Sequence, residues 1–190
     1  MSVSLSKGGN VSLTKEAGAA GLSAVTVGLG WDVRTTTGTE FDLDASALLV
    51  RQDGKVLSDQ HFVFYGNLTS PDGAVEHTGD NLTGEGEGDD EQIRVDLSRV
   101  PRNVKTLVFV VNSFTGQDFG RIENAFCRLV DETTGAEIAR YNLSGGGSHT
   151  AQVMAKVYRG SDGGWDMSAI GENASGRTFR DLMPAITASL

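Results

Sequence analysis

Short runs in which apolar and polar residues alternate, separated by turn-forming residues, recur along the chain. In residues 92–97, Ile93, Val95 and Leu97 fall on one face, because side chains alternate sides along a β-strand. Residues 105–114 are mostly apolar and β-branched, which is typical of a strand buried on both faces. About ten such strands predict an antiparallel β-sandwich with a short C-terminal helix. A length of 190 residues indicates a single domain, 1–190.

The individual elements are predicted from turn signals and from changes of periodicity. The helix is indicated by Thr178 and Asp181, which have the spacing of a capping box, and by the apolar stripe that follows. Pro184 lies inside that stripe, so the helix should be short, kinked or start later. The other predictions are two strands around a turn within 2–14, strands at 23–32, 41–50, 61–65, 92–97 and 105–114, a helical turn near 118–123, and hairpins over 125–141 and 151–170.

Residues 80–91 form an acidic segment with six carboxylic acids, three glycines and no basic residue. The chain has a net charge of −9, so this segment carries most of the acidity. Carboxylates, together with backbone carbonyls that glycine allows to turn inward, are the oxygen ligands that Ca²⁺ prefers. A solvated loop without a metal is the alternative. The segment is not an EF-hand, because Leu82 and Gly84 occupy two of the ligand positions.

Acidic residues elsewhere in the chain strengthen the metal-site hypothesis. Asp42 and Asp44 share one face of the predicted strand 41–50, and Asp32 lies at the end of another strand. Clustered carboxylates on one face of a sheet repel one another unless a cation offsets their charge. If this strand edge lies under the acidic segment, the carboxylates converge, and two Ca²⁺ ions offset their charge better than one. The alternative is that Asp42 and Asp44 simply face water.

The composition argues against several other functions. A net charge of −9 is unfavourable for binding nucleic acid, which requires a basic surface. The single cysteine, Cys127, is expected to be a small buried side chain. The three histidines, His61, His77 and His149, are scattered, and no serine lies in a nucleophile-elbow motif. Neither a signal peptide nor an apolar stretch of about 20 residues occurs, which favours a cytoplasmic protein without a transmembrane segment.

Four motifs together resemble the TerD family of bacterial tellurium-resistance and stress proteins. They are Gly28-Leu-Gly-Trp-Asp32, Phe41-Asp-Leu-Asp-Ala-Ser46, Gly79-Asp-Asn-Leu-Thr-Gly-Glu-Gly-Glu-Gly-Asp-Asp-Glu91 and Asn124-Ala-Phe-Cys-Arg-Leu-Val-Asp131. The resemblance implies a β-sandwich that binds Ca²⁺ through its acidic segments. It also implies a cytoplasmic protein that works with other proteins of a stress-resistance complex near the inner membrane surface. The metal-binding positions that it implies are Asp32, Asp42, Asp44, Asp80, Asn81, Glu87, Asp89, Asp90 and Glu91.

Two functions fit these features. The first is a non-enzymatic protein in which about two Ca²⁺ ions order the acidic segment and create a Ca²⁺-dependent interaction surface. The second is a metal-dependent enzyme such as a hydrolase, or a protein that handles the tellurium oxyanion directly. A reductase would need redox-active thiols or a cofactor, and an acidic loop repels an oxyanion unless bound Ca²⁺ bridges them. The first function is therefore preferred.

Overall fold

The computed structural model describes residues 2–16, 22–33, 43–78, 88–113, 115–142 and 147–190. The strands within these residues are β1 (Val3–Leu5), β2 (Asn10–Ser12), β3 (Ala24–Val33), β4 (Leu43–Arg51), β5 (Phe62–Val63), β6 (Val75–His77), β7 (Glu91–Asp96), β8 (Val104–Ser113), β9 (Ile122–Asp131), β10 (Glu137–Asn142), β11 (Ala151–Arg159) and β12 (Trp165–Ala174). The helices are α1 (Leu13–Glu16) and α2 (Phe179–Ala188), and 3₁₀ turns at Asp59–His61 and Phe119–Arg121 precede β5 and β9.

The strands form two six-stranded sheets. The first sheet has the order β1-β10-β9-β3-β7-β6, and the second has the order β2-β12-β11-β8-β4-β5. All pairings of neighbouring strands are antiparallel except that of β1 with β10, which is parallel. The predicted antiparallel β-sandwich with a short C-terminal helix is therefore confirmed.

A continuous apolar core lies between the sheets, and a second apolar cluster lies on the outer face of the second sheet. Leu43 and Ala45 of β4 point into the core between the sheets. Leu48 of β4 points the other way and packs with Leu182 and Ile186 of α2. Because α2 covers this face, β4 and β8 are buried on both sides, as the continuous apolar sequence of β8 predicts.

The C-terminal helix begins at the predicted cap. The Asp181 carboxylate accepts a hydrogen bond of 3.0 Å from the Thr178 N–H, and the Asp181 N–H donates one of 3.1 Å to the Thr178 carbonyl. Pro184 lies within α2 and does not end it. Packing of Leu182 and Ile186 on the second sheet stabilises the helix across this position, since tertiary contacts supply most helix stability in proteins.

The structure differs from the prediction at the N-terminus and near β5. The two strands within 2–14 exist but do not pair with each other, because β1 joins β10 in the first sheet and β2 joins β12 in the second. The predicted strand 61–65 is shortened to Phe62–Val63, since a 3₁₀ turn occupies its beginning. No helix in the described part of the chain is both long and apolar enough to cross a membrane.

Candidate metal centre

The nine predicted metal-binding positions are only partly covered by the described residues. Asp42, Asp80, Asn81 and Glu87 lie outside them, and for Asp32 only the backbone is described. Asp44, Asp89, Asp90 and Glu91 are described in full. Among the described residues, no group of three or more His, Cys, Asp or Glu side chains is arranged to hold a metal ion. The Ca²⁺ site therefore stays a prediction, and the structure gives the contacts of the four described acids.

Glu91 connects the two sheets. It is the first residue of β7 in the first sheet, and its Oε2 accepts a hydrogen bond of 2.5 Å from the N–H of Ala45 in the second sheet. β5 pairs with β4 only at Ala47 and Leu48. The Ala45 N–H therefore lies beyond the end of β5, and Glu91 accepts its hydrogen bond in place of a neighbouring strand. The same Oε2 is 3.4 Å from Nε2 of His77, and both side chains are fully buried. The end of the acidic segment is thus fixed inside the sandwich.

Asp90 fastens the chain to the end of β3. Its N–H donates a hydrogen bond of 2.8 Å to the Leu29 carbonyl. Its Oδ2 accepts one of 2.9 Å from the Trp31 N–H. The two hydrogen bonds hold Asp90 against the backbone of Leu29 and Trp31, near the end of β3.

Asp89 lies on the outer face of the first sheet, above Gly28. Arg128 of β9 and Gln92 of β7 flank Gly28 in register. Arg128 donates to both Asp89 carboxylate oxygens, at 2.7 and 3.1 Å, and Gln92 donates at 3.1 Å. The hydrogen bond to Asp89 is the main reason why the pKa of Arg128 lies above its ordinary value. The Arg128 guanidinium balances the charge of Asp89. The ion pair therefore holds this end of the acidic segment against the first sheet without a metal ion.

Gly28 and Gly30 make this approach of the chain possible. A Cβ on Gly28 would lie 2.2 Å from an Asp89 carboxylate oxygen. A Cβ on Gly30 would lie 2.4 Å from the Phe126 ring and 2.9 Å from the Gly88 carbonyl oxygen. Two glycines two residues apart in a strand share one face, and glycine in a strand often marks close approach of another segment. That spacing is the signal from which a segment crossing this face could have been predicted. The partner Arg128 carries no comparable local signal.

Asp44 is buried, so the alternative that it faces water does not hold for this residue. It is 4% exposed and lies on the outer face of the second sheet, which α2 covers. The predicted alternation is correct for the described residues, since Leu43 and Ala45 face the core between the sheets. Asp44 and Ser46 line a cavity of about 330 Å³ beside α2. This cavity was not predicted, because alternation identifies the two faces of a strand but not what covers them.

Cys127 is expected to be unreactive in the folded protein. Its side chain is fully buried, and burial, followed by the nearby Asp89 charge, raises the pKa of its thiol to about 12. Since the thiolate is the reactive species, a thiol reagent such as 5,5′-dithiobis(2-nitrobenzoate) at pH 8 should label it only after unfolding. Rapid stoichiometric labelling of the native protein would contradict this burial.

Comparisons with known proteins agree with the fold and with the motifs. A model of the TerD domain matches residues 1–184. Tellurium resistance protein TerD of Serratia marcescens is 50% identical over 181 residues, which cover 93% of each chain. Stress response protein SCP2 of Bacillus subtilis (strain 168) is 43% identical, over 96% of this chain and 98% of that protein. The crystal structure of a homologue of telluride resistance protein (TerD) from Streptomyces coelicolor A3(2) has the same fold, with a TM-score of 0.71, 20% identity, and coverage of 86% and 96%. The chain belongs to the TerD family of tellurium-resistance and stress-response proteins.

Proposed function

We propose that this protein is a non-enzymatic Ca²⁺-binding protein of the bacterial stress response, including resistance to tellurium compounds. The observation that carries the proposal is the fixed end of the acidic segment. Asp90 is bound to β3 and Glu91 joins β7 to β4, so carboxylates of this segment stand at the junction of both sheets. A Ca²⁺ ion bound by the acidic segment would therefore lie next to residues that the two sheets hold in fixed positions.

The donor set suits a hard cation. The candidate ligands are carboxylates and one amide, without thiols, and such oxygen ligands fit Ca²⁺. In the proposal, Asp90 and Glu91, together with Asp32, Asp42 and the acids of 80–87, hold about two Ca²⁺ ions, whereas the Asp44 side chain lines the cavity beside α2. Bound Ca²⁺ offsets the repulsion among these carboxylates. Asp89, which is paired with Arg128, positions the segment.

The ordered segment is proposed to present a surface for other proteins of a stress-resistance complex, at the inner face of the membrane. The names of the related proteins, tellurium resistance protein TerD and stress response protein SCP2, support the stress role. A net charge of −9 supports a protein partner over nucleic acid.

The alternative of a metal-dependent hydrolase has less support. His61 is 3.0 Å from Asp72, His77 contacts Glu91 inside the sandwich, and the His149 ring packs edge-on against Phe119. Each histidine thus has a packing or ion-pairing role in the fold. Metal-dependent turnover in a panel of phosphoesters would favour the hydrolase instead.

Calcium binding is tested by isothermal titration of protein first stripped of metal with EDTA. We expect saturable binding of Ca²⁺, much weaker binding of Mg²⁺, which requires a tighter octahedral site, and a higher thermal midpoint with Ca²⁺. Asp80→Ala combined with Asp89→Ala should weaken Ca²⁺ binding at least about tenfold.

The matched control is Asp53→Ala, because Asp53 is a surface acid that pairs only with Arg51 among the salt bridges of the described residues. This variant should bind Ca²⁺ like the wild type. If the double variant keeps wild-type affinity, the site is not in the acidic segment.

A further inference from the structure

A cavity of about 330 Å³ lies between the outer face of the second sheet and the N-terminal end of α2. Asp44 and Ser46 of β4 line it, together with Asn112, which is the β8 neighbour of Asp44 in register. Asp44 and Ser46 are each 4% exposed. The floor of the cavity is therefore polar and shielded from bulk water, in a size range typical of small-molecule sites.

The walls of the cavity are aromatic. The rings of Phe62 and Phe64 stack at 4.7 Å between centroids, and Phe179 of α2 lies 4.6 Å from Phe62. Tyr65 meets Phe64 edge-on at 5.1 Å and is 42% exposed. All four line the cavity. A flat unsaturated body gains both apolar burial and ring contacts against such walls.

The mouth of the cavity is positively charged. Arg177 and Arg180 flank the first turn of α2, and both side chains line the cavity. Among the described residues, neither guanidinium is in an ion pair. The nearby Asp181 carboxylate binds the backbone N–H groups of Arg177 and Thr178. The two guanidinium groups therefore remain available to an anionic group, and the helix N-terminus favours the same sign of charge.

We propose that this cavity binds a small organic anion with a flat aromatic body. The aromatic body lies among Phe62, Phe64 and Phe179, and the anionic group lies at Arg177 and Arg180. The buried polar floor, formed by Asp44, Ser46 and Asn112, suits a ligand with a hydroxyl or another polar group at its opposite end.

Other ligand classes fit this arrangement less well. An organic cation would meet two arginines at the mouth, where like charges repel. A wholly apolar ligand would cover the polar floor without replacing its hydrogen bonds, which costs free energy. The inference extends beyond the proposed function, since none of its contacts requires Ca²⁺.

Two fluorescent probes that share the same rings test the proposal. 8-Anilino-1-naphthalenesulfonate carries a sulfonate, whereas N-phenyl-1-naphthylamine lacks it. Each is titrated into the full chain, once with EDTA and once with CaCl₂. We expect one saturable site for the sulfonate probe and about tenfold weaker binding of the neutral probe, as befits the loss of charge-assisted hydrogen bonds.

The variants locate the probe. Arg177→Gln combined with Arg180→Gln should weaken binding of the sulfonate probe about tenfold and leave the neutral probe unchanged. Arg102→Gln is the matched control, because Arg102 is exposed before the start of β8, roughly 30 Å along the strand from Asn112. Two single variants change the aromatic wall: Phe64→Ala, and Tyr65→Ala at the exposed wall residue. Each should weaken the binding of both probes. The thermal midpoint of each variant checks that it is folded.

The proposal is overturned if the sulfonate probe shows no saturable binding in EDTA, in CaCl₂ or in both. It is overturned as well if this probe binds no better than the neutral probe. It is also overturned if the double arginine variant behaves like Arg102→Gln. Unchanged binding to both folded wall variants would place the dye elsewhere and overturn the assignment of the cavity.

Discussion

Replacing Glu91 with alanine is expected to lower the free energy of unfolding by roughly 3 kcal/mol. The substitution removes the acceptor of the Ala45 N–H and the carboxylate beside His77, both inside the sandwich. A buried polar group that loses its partner costs about 1–3 kcal/mol, and two groups are affected here. Urea denaturation in EDTA measures the loss, since EDTA separates it from any stabilisation by Ca²⁺.

Two variants sharpen this prediction. Glu91→Gln keeps an oxygen that can accept from Ala45, so it should lose less stability than Glu91→Ala. Glu76→Gln changes an exposed acid on β6, next to His77, and should remain within about 0.5 kcal/mol of the wild type. Equal stabilities of Glu91→Ala and Glu76→Gln would show that Glu91 does not link the sheets.

The parts of the fold that were predicted correctly are those with local signals. β7 and β8 follow from periodicity, and the hairpins β9–β10 and β11–β12 follow from the turns between their strands. The cap of α2 follows from the spacing of Thr178 and Asp181. In each case the residues that determine the element are its own residues or its immediate neighbours.

The first two strands show why the remainder was not predicted. Two alternating runs around a short turn have the same sequence pattern whether the two strands pair with each other or join separate sheets. β1 pairs with β10, where Val3 meets Ala139, and nothing near Val3 identifies that partner. The outcome depends on which distant edges are left unpaired when the sheets assemble, a non-local property.

The candidate site shows the same limit. Composition identified the acids, but Asp44, Asp89 and Glu91 lie on different faces of the sandwich. Glu91 points between the sheets, Asp89 lies against the outer face of the first sheet, and Asp44 lies under α2. Their partners, including Arg128, are distant in the sequence. Charge and spacing therefore indicated which residues matter, whereas only the fold assigns each acid its contacts.

Gly28→Ala is expected to destabilise the protein by about 2 kcal/mol, a typical cost of overfilling a packed position. The new methyl group would lie 2.2 Å from an Asp89 carboxylate oxygen, so Asp89 must move and its bonds to Arg128 must lengthen or break. Because Asp90 follows directly, Ca²⁺ affinity should fall as well. Urea denaturation and calcium titration measure the two effects.

A double-mutant cycle with Asp89→Ala isolates the cause. In the Asp89→Ala background the clashing carboxylate is absent, so Gly28→Ala should become nearly neutral, and the two substitutions should couple by more than about 1 kcal/mol. Strictly additive effects would mean that Asp89 does not rest on Gly28. Coupling of the expected size would instead establish that Gly28, some sixty residues before Asp89, leaves the room that the Asp89 side chain needs against β3.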